Sequence, residues 1–335
     1  MTERKPLVLD QVVVPAGTYK VVHLPIARLT SGVEIPLPVH VFHSAQEGPT
    51  VLLSGGLHGD EVNGVEIVRR ALAGNMLHQL ERGTVIAIPI INVYGFLFFS
   101  RDVPDGKDVN RSFPGSPDGS LASLVAHTLY TKILPLVDFG IDFHTGGASR
   151  TNYPQIRYAK DDETALEIAR AFAAPLSMPS SLIHGSLREA AHKLGVPIVV
   201  YEGGESMRFD PFAIDEGIRG IKRVLARWGM RTKSPKPRGL SDRHGRQSKR
   251  VRWISENTWV RAEASGLFVS LRQSGQAVEQ GELIGRIHNP NDAYTVKVFS
   301  PINGFIIGHN NLPMVHRGDA LFHVAAEAPE VPEID

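Results

Sequence analysis

The chain has 335 residues, enough for a substantial catalytic domain and a second, smaller one, and its 42% hydrophobic content excludes wholesale disorder. A formal net charge of +1 gives no broad electrostatic ground for nucleic-acid or membrane binding. With no cysteine, disulfides and thiolate metal sites are both excluded, so a transition-metal site must use histidine and carboxylates, which suits a catalytic zinc better than a structural one.

The polar start Met1-Thr2-Glu3-Arg4-Lys5-Pro6 is followed by no long apolar run. The expectation is therefore no signal peptide, no bilayer-spanning stretch and a cytoplasmic location. Residues 1–45 read as a β-rich N-terminal extension packed on the catalytic domain, with short strands at Gln11–Val14, Lys20–Leu24 and Pro38–Phe42. Residues 46–230 read as the catalytic domain. Its first strand, Thr50–Ser54, runs into Gly55-Gly56, and a helical stretch from about Glu61 to Leu80 follows, with Val65, Val68, Leu72 and Leu77 at helical spacing. After Val85–Ile91 come a helix over 120–134, a strand at Phe139–Phe143, helices near 162–173 and 186–194, a strand at Pro197–Tyr201 and a helix near 212–228. Apolar strands alternating with helices predict an α/β domain whose central sheet is covered on both faces.

The segment Arg231–Arg250 is rich in Arg, Lys, Pro and Gly and carries no residue suited to a core. A solvated basic linker is favoured over a nucleic-acid patch for so short a run. Beyond it, 251–328 turns all-β and repeats internally. Val260–Phe268 is echoed by Val296–Ile306, and Val278–Ile284 by Val315–Leu321. Two similar halves predict a small barrel-sandwich-like β domain. It resembles the lipoyl/biotinyl carrier fold, with Ala293 standing where a carrier lysine would be.

The strongest local feature is Ser54-Gly55-Gly56-Leu57-His58-Gly59-Asp60-Glu61, where a strand ends, glycines permit a tight turn and a helix begins. His58 and Glu61, three apart, can share one cation there, beyond the carboxyl end of a strand. Spacing alone is weak evidence, because His78 and Glu81 have it too; that pair lies at a helix end before Arg82-Gly83 and reads as exposed surface. A third ligand is offered by His144 in Asp142-Phe143-His144-Thr145-Gly146-Gly147, again a strand running into glycines. Standing alone, a capping or hydrogen-bonded histidine would be the simpler account. Asp142 could orient a ligand or face away, and its role stays open. Glu202, ending Val199-Val200-Tyr201 before Gly203-Gly204, repeats the same pattern, and a carboxylate there can carry a proton from water to a leaving nitrogen. Glu205 competes but lies past the glycines. The polar loop 101–115 ends in Asn110-Arg111-Ser112-Phe113-Pro114-Gly115, and its amide and guanidinium are groups that grip a carboxylate.

Gly56–Glu61, Asn110–Gly115, Asp142–Gly146 and Glu202-Gly203-Gly204, in this order, resemble the succinylglutamate desuccinylase/aspartoacylase branch of the zinc carboxypeptidase-like superfamily, over roughly 45–228. The resemblance implies a zinc-carboxypeptidase-like mixed central sheet flanked by helices. It implies one Zn2+ per chain held by His58, Glu61 and His144, with Glu202 as general base and then acid. It further implies Arg101 as the group polarising the scissile carbonyl, Asn110 and Arg111 as holders of the substrate carboxylate, and Arg157 as a further anion contact. Arg101 stands nine residues before Asn110, a longer gap than in the aspartoacylases proper. A His/Glu/His set also binds manganese, cobalt or nickel. The expected activity is deacylation of a small N-acyl amino acid. The alternatives are a metallocarboxypeptidase acting on short peptides or glutamyl tails, and a non-catalytic metal-dependent binding protein. The partner expected is a small molecule, with neither nucleic acid nor membrane; a homo-oligomer is left open.

Overall fold

A computed structural model describes residues 4–28, 32–232, 240–241, 247–248 and 251–329. Most of the expected basic linker at 231–250 lies outside the described residues. The strands, in chain order, begin with β1 (Leu7–Leu9), β2 (Val12–Val14), β3 (Thr18–Arg28), β4 (Glu34–His43), β5 (Thr50–Gly55) and β6 (Thr84–Ile88). They continue with β7 (Phe139–Gly146), β8 (Arg150–Tyr158), β9 (Leu176–Pro179), β10 (Ile198–Glu205), the short β11 (Leu240–Ser241) and β12 (Gln247–Ser248), and β13 (Arg252–Arg261). The rest are β14 (Gly266–Ser270), β15 (Ala277–Val278), β16 (Leu283–His288), β17 (Thr295–Phe299), β18 (Gly304–Asn310), β19 (Met314–Val315) and β20 (Ala320–Glu327). The helices are α1 (Val62–Ala73), α2 (Val93–Leu97), α3 (Leu121–Thr128), α4 (Glu163–Phe172), α5 (Leu187–Lys193) and α6 (Pro211–Arg227).

A twelve-stranded mixed sheet runs in the order β15-β18-β20-β13-β9-β8-β10-β7-β5-β6-β4-β3. Its centre, β6-β5-β7-β10, is parallel, while β8 and β4 join antiparallel. The central strands are buried along nearly their whole length, so both faces need an apolar cover. Alternation supplies it. Val51, Leu53, Ile141, Phe143, Val199 and Tyr201 pack with α1, α4 and α6, whereas Leu52, Ile86 and Ile198 pack on the other face with α3 and α5.

Several boundaries differ from the sequence expectation for identifiable reasons. Helix α1 stops at Ala73 because Gly74 takes an extended conformation (φ −85°, ψ 156°) and caps Arg70 through its amide; buried Leu77 follows outside the helix. The helix expected over 120–134 is α-helical only through α3, then passes into a π turn and a short 3-10 turn at Leu134–Leu136, where Pro135 has no amide hydrogen to give. Strands β8 and β9 were not anticipated: TNYPQIRY mixes polar residues with a proline, and LSMP is only four residues long.

The C-terminal repeat is visible as an exchange. Strands β13, β20, β18 and β15 form one end of the large sheet, and β17, β16, β14 and β19 form a separate four-stranded sheet. Each sheet thus draws on both repeats, and Phe268, Ile284, Ile287, Val298, Ile306, Leu321, Phe322 and Val324 fill the layer between them. Ala293 lies at the exposed turn joining β16 to β17. Among the described residues, no helix is long and apolar enough to cross a membrane.

Candidate active site

Strand alternation decides which side chains meet. On β7, Phe139, Ile141 and Phe143 face α1 and α4, so Asp142 and His144, two residues apart, share the opposite face. Asp142 therefore faces the same side as His144 rather than away from it. Its Oδ2 lies 2.7 Å from His144 Nε2, and its Oδ1 accepts from the Ser54 hydroxyl at 2.8 Å. On neighbouring parallel β10, Glu202 stands in register with His144. The competitor Glu205 turns elsewhere, 3.7 Å from Arg208.

His58 and Glu61 sit in the turn before α1, closed by Glu61 N donating to His58 O at 3.2 Å, rather than in the first helical turn. Gly59 makes the turn possible, since a Cβ there would stand 2.0 Å from the Gly95 carbonyl carbon. The Glu61 carboxylate lies between two imidazoles, Oε1 at 2.7 Å from His58 Nδ1 and Oε2 at 2.9 Å from His144 Nδ1, and accepts from Thr145 N at 3.0 Å. One ligand atom from each of the three residues falls within 4.8 Å of the others. Glu61 is 2% exposed, His58 3% and His144 4%, too buried for water to solvate them.

The donor chemistry fits a divalent transition metal. Two imidazoles present the same nitrogen, Nδ1, to one carboxylate, and the far nitrogen of each is backed by an aspartate: His144 Nε2 by Asp142, His58 Nε2 by Asp108 Oδ1 at 3.4 Å. The His58 contact lacks hydrogen-bond geometry, and that nitrogen is otherwise unpartnered. Burial disfavours the charged form of His144, yet Asp142 and Glu61 outweigh it and hold its pKa well above the ordinary value. His58 is raised in the same way, with Glu61 prevailing over burial. The Glu61 carboxyl, also opposed by burial, is held well below the usual range by His58 and His144.

His58, Glu61, His144, Glu202, Arg101, Asn110, Arg111 and Arg157 line one cleft of about 420 Å³. Arg101 lies at the end lined by His58 and Glu61, with Nη1 3.2 Å from His58 Nδ1 and 3.5 Å from Glu61 Oε1, and its Nε and Nη2 donate to Asp108 Oδ2 at 3.2 and 2.9 Å. Arg157 Nη1 is 3.6 Å from Glu202 Oε1, so it neighbours the candidate base directly. The Asn110 amide oxygen accepts from Leu187 N at 2.9 Å, tying the loop to α5. Arg111 is exposed at the rim, and its Nη1 donates to Asn110 O at 2.6 Å. His78 and Glu81 are exposed, as expected.

Three residues of the cleft region escaped the sequence reading. Asp108 binds Arg101, approaches His58 and caps its own turn by accepting from Asn110 N at 2.7 Å; its position two before Asn110 in a polar loop was the only signal. Asn152 donates to Glu202 Oε2 at 3.0 Å from the unanticipated β8. Arg188 is buried on α5 and donates to Ser180 Oγ at 2.7 Å and to the Ser181 carbonyl. Among the described residues it has no carboxylate at ion-pair distance. Burial first, then the nearby Arg157, lowers its pKa to about 10. On a short helix it looks like any surface arginine, and only the tertiary fold turns it inward.

The sequence model of the succinylglutamate desuccinylase/aspartoacylase catalytic domain matches residues 47–228. The chain is 29% identical over 266 residues to the N-alpha-acetyl-L-2,4-diaminobutyric acid deacetylase of Halomonas elongata, covering 76% of this chain and 75% of that protein. A crystal structure of a succinylglutamate desuccinylase/aspartoacylase from Rhodobacter sphaeroides superposes with a TM-score of 0.81 at 29% identity, over 93% of this chain and 96% of that one. The product-bound ectoine utilization protein EutE (DoeB) of Ruegeria pomeroyi shares the fold, with a TM-score of 0.80 at 24% identity over 92% of this chain and 95% of that one.

Proposed function

The chain belongs to the succinylglutamate desuccinylase/aspartoacylase family, and from that premise we propose that it is a zinc-dependent deacylase of a small N-acyl amino acid. The observation that carries this reading is the buried His58–Glu61–His144 group facing Glu202 across one cleft. The name of the Halomonas elongata relative, a deacetylase of an N-acetylated amino acid, supports the same chemistry.

In this reading, His58, Glu61 and His144 hold one Zn2+ per chain, with Asp142 orienting the His144 imidazole and Asp108 standing beside that of His58. When bound there, zinc supplies a Lewis acid and lowers the pKa of a water toward about 7. Glu202 takes the proton from the attacking water and delivers it to the leaving nitrogen as the C–N bond breaks. Arg101, fixed by Asp108, directs its guanidinium at the scissile carbonyl oxygen and offsets the charge that builds there. The substrate carboxylate docks toward Arg188, whose buried charge has only neutral hydrogen-bond acceptors, with Arg157, Asn110 and Arg111 completing the pocket.

The test is elemental analysis of protein purified without chelator, together with a panel of N-acetyl and N-succinyl amino acids and short acidic peptides. The reading expects about one zinc per chain, lost in His58→Ala and retained in Glu202→Ala. Glu202→Ala should lower turnover by roughly 10²- to 10⁴-fold. Release of carboxy-terminal residues from peptides, with N-acyl amino acids inert, would instead identify a carboxypeptidase. Zinc bound with no hydrolysis of any of these amides would instead leave a metal-dependent binding protein, and no metal after incubation with zinc would overturn the zinc-hydrolase reading.

A further inference from the structure

Strand β8 is bordered by two different parts of the chain. Beside Asn152 stand Gly204 of β10 on one edge and Gly308 of β18 on the other. Strand β18 belongs to the C-terminal sheets, which are fastened to the start of β8 at several points. Ser274 Oγ donates to Thr151 O at 2.9 Å, Asn311 N donates to Ser149 O at 3.0 Å, and Asn311 Nδ2 donates to Thr151 Oγ1 at 2.8 Å. Farther along, Gln155 Nε2 donates to Ile307 O at 3.3 Å.

The Asn152 side chain, itself buried, donates from Nδ2 to Glu202 Oε2 at 3.0 Å. Its Oδ1 lies 2.8 Å from the point where a Cβ on residue 308 would be. A glycine at 308 is therefore what leaves the amide its position. The terminal torsion of a glutamate is broad and roughly two-fold, so a carboxylate that must meet one water needs an outside restraint. The neutral Asn152 amide supplies it on Oε2, while the Arg157 guanidinium stands 3.6 Å from Oε1.

We propose that Asn152 is a positioning residue for Glu202, and that Gly308 makes this contact possible, so that the C-terminal sheets are a working part of the catalytic apparatus. The proposal rests on the reading of Glu202 as the proton carrier. Loss of the contact lets the carboxylate rotate, and a displacement of about 1 Å at a reacting group costs on the order of 10²-fold in rate.

The experiment is a double-mutant cycle of Asn152→Ala and Gly308→Ala, with Glu202→Ala alongside, on the best substrate of the panel. Asn152→Ala should lower kcat by roughly 10- to 100-fold with KM within about threefold. Gly308→Ala should do the same, yet cost nothing further in the Asn152→Ala background, where the crowded oxygen is gone. Metal content should be unchanged in all of these variants. In the crystal structure of Gly308→Ala, the Glu202 carboxylate should be reoriented while His58, Glu61 and His144 keep their places, a readout independent of turnover. Should Gly308→Ala fail to fold, Asn152→Ala still decides: an unchanged kcat, or an unmoved Glu202 in its crystal structure, overturns the proposal. Equal losses from Gly308→Ala in both backgrounds overturn the role of Gly308. Full turnover in Glu202→Ala overturns the underlying reading, and the proposal falls with it.

Discussion

At the scale of single residues, the His58, Glu61 and His144 cluster is backed by aspartates from outside it. Asp142 fixes His144 from behind and is itself held by Ser54. Asp142→Asn keeps the shape but weakens the support to Nε2, and zinc affinity should fall about 10- to 100-fold, as read by competition with a chromogenic chelator. The raised imidazoles and lowered carboxyl also set a pH dependence. In the metal-free protein, His58 and His144 stabilise the fold fully below their ordinary value of 6.5, and that contribution is lost as pH rises through their folded values. Glu61 stabilises above its ordinary 4.5, and this is lost only as pH falls through its depressed folded value. These three groups together stabilise the metal-free chain most between about pH 4.5 and 6.5, and above 6.5 its thermal midpoint should decline as the imidazoles deprotonate. Zinc requires deprotonated imidazoles, so its stabilising effect should grow over the same range. Melting curves with and without chelator from about pH 6.5 to 8.5 check both, and a chelated midpoint that climbs over that range would contradict the assignment.

At the scale of elements, the site is made where strand ends meet one closely packed helix. Helix α1 approaches β7 so nearly that a Cβ on Gly64 would stand 2.2 Å from the Phe143 carbonyl oxygen. Glu61 is the cap residue of that helix, and His144 follows Phe143. Gly64→Ala should therefore do two things at once. Pushing the helix away costs roughly 1–3 kcal/mol of stability, seen as a lower urea midpoint at unchanged slope. It also moves Glu61 away from His144, so metal affinity should drop along with stability. Lost stability with undiminished metal affinity would mean that the turn 58–61 holds its geometry without the helix.

At the scale of the whole molecule, the C-terminal sheets join the catalytic sheet through β13 on β9 and β18 on β8. A buried histidine lies in this joined region. His323 Nε2 is 2.8 Å from Asn257 Oδ1, and burial first, then Arg157, lowers its pKa to about 3. Its neutral form contributes stability above the ordinary value of 6.5, and this is lost as pH falls toward 3. At about pH 4 the loss should approach 3 kcal/mol, and His323→Gln should flatten the acid limb of denaturant-derived stability. The amino-acid sequence by itself determined the α/β alternation and the internal repeat of the C-terminal part, and it offered His58, Glu61, His144 and Glu202 as candidates, which the fold brings to one cleft. Each of these is written in local patterns: apolar periods of two and 3.6, and polar residues at strand ends before glycine. The tertiary structure alone decided that Asn152 and Arg188 line the cleft, that Asp108 holds Arg101 and approaches His58, that the twelve strands form one sheet, and that the repeats exchange strands. These follow from pairings between distant segments, and β8, polar and interrupted by Pro154, carried no period that could announce it. Where a side chain acts only through a neighbour from elsewhere in the chain, the local sequence holds no trace of the contact.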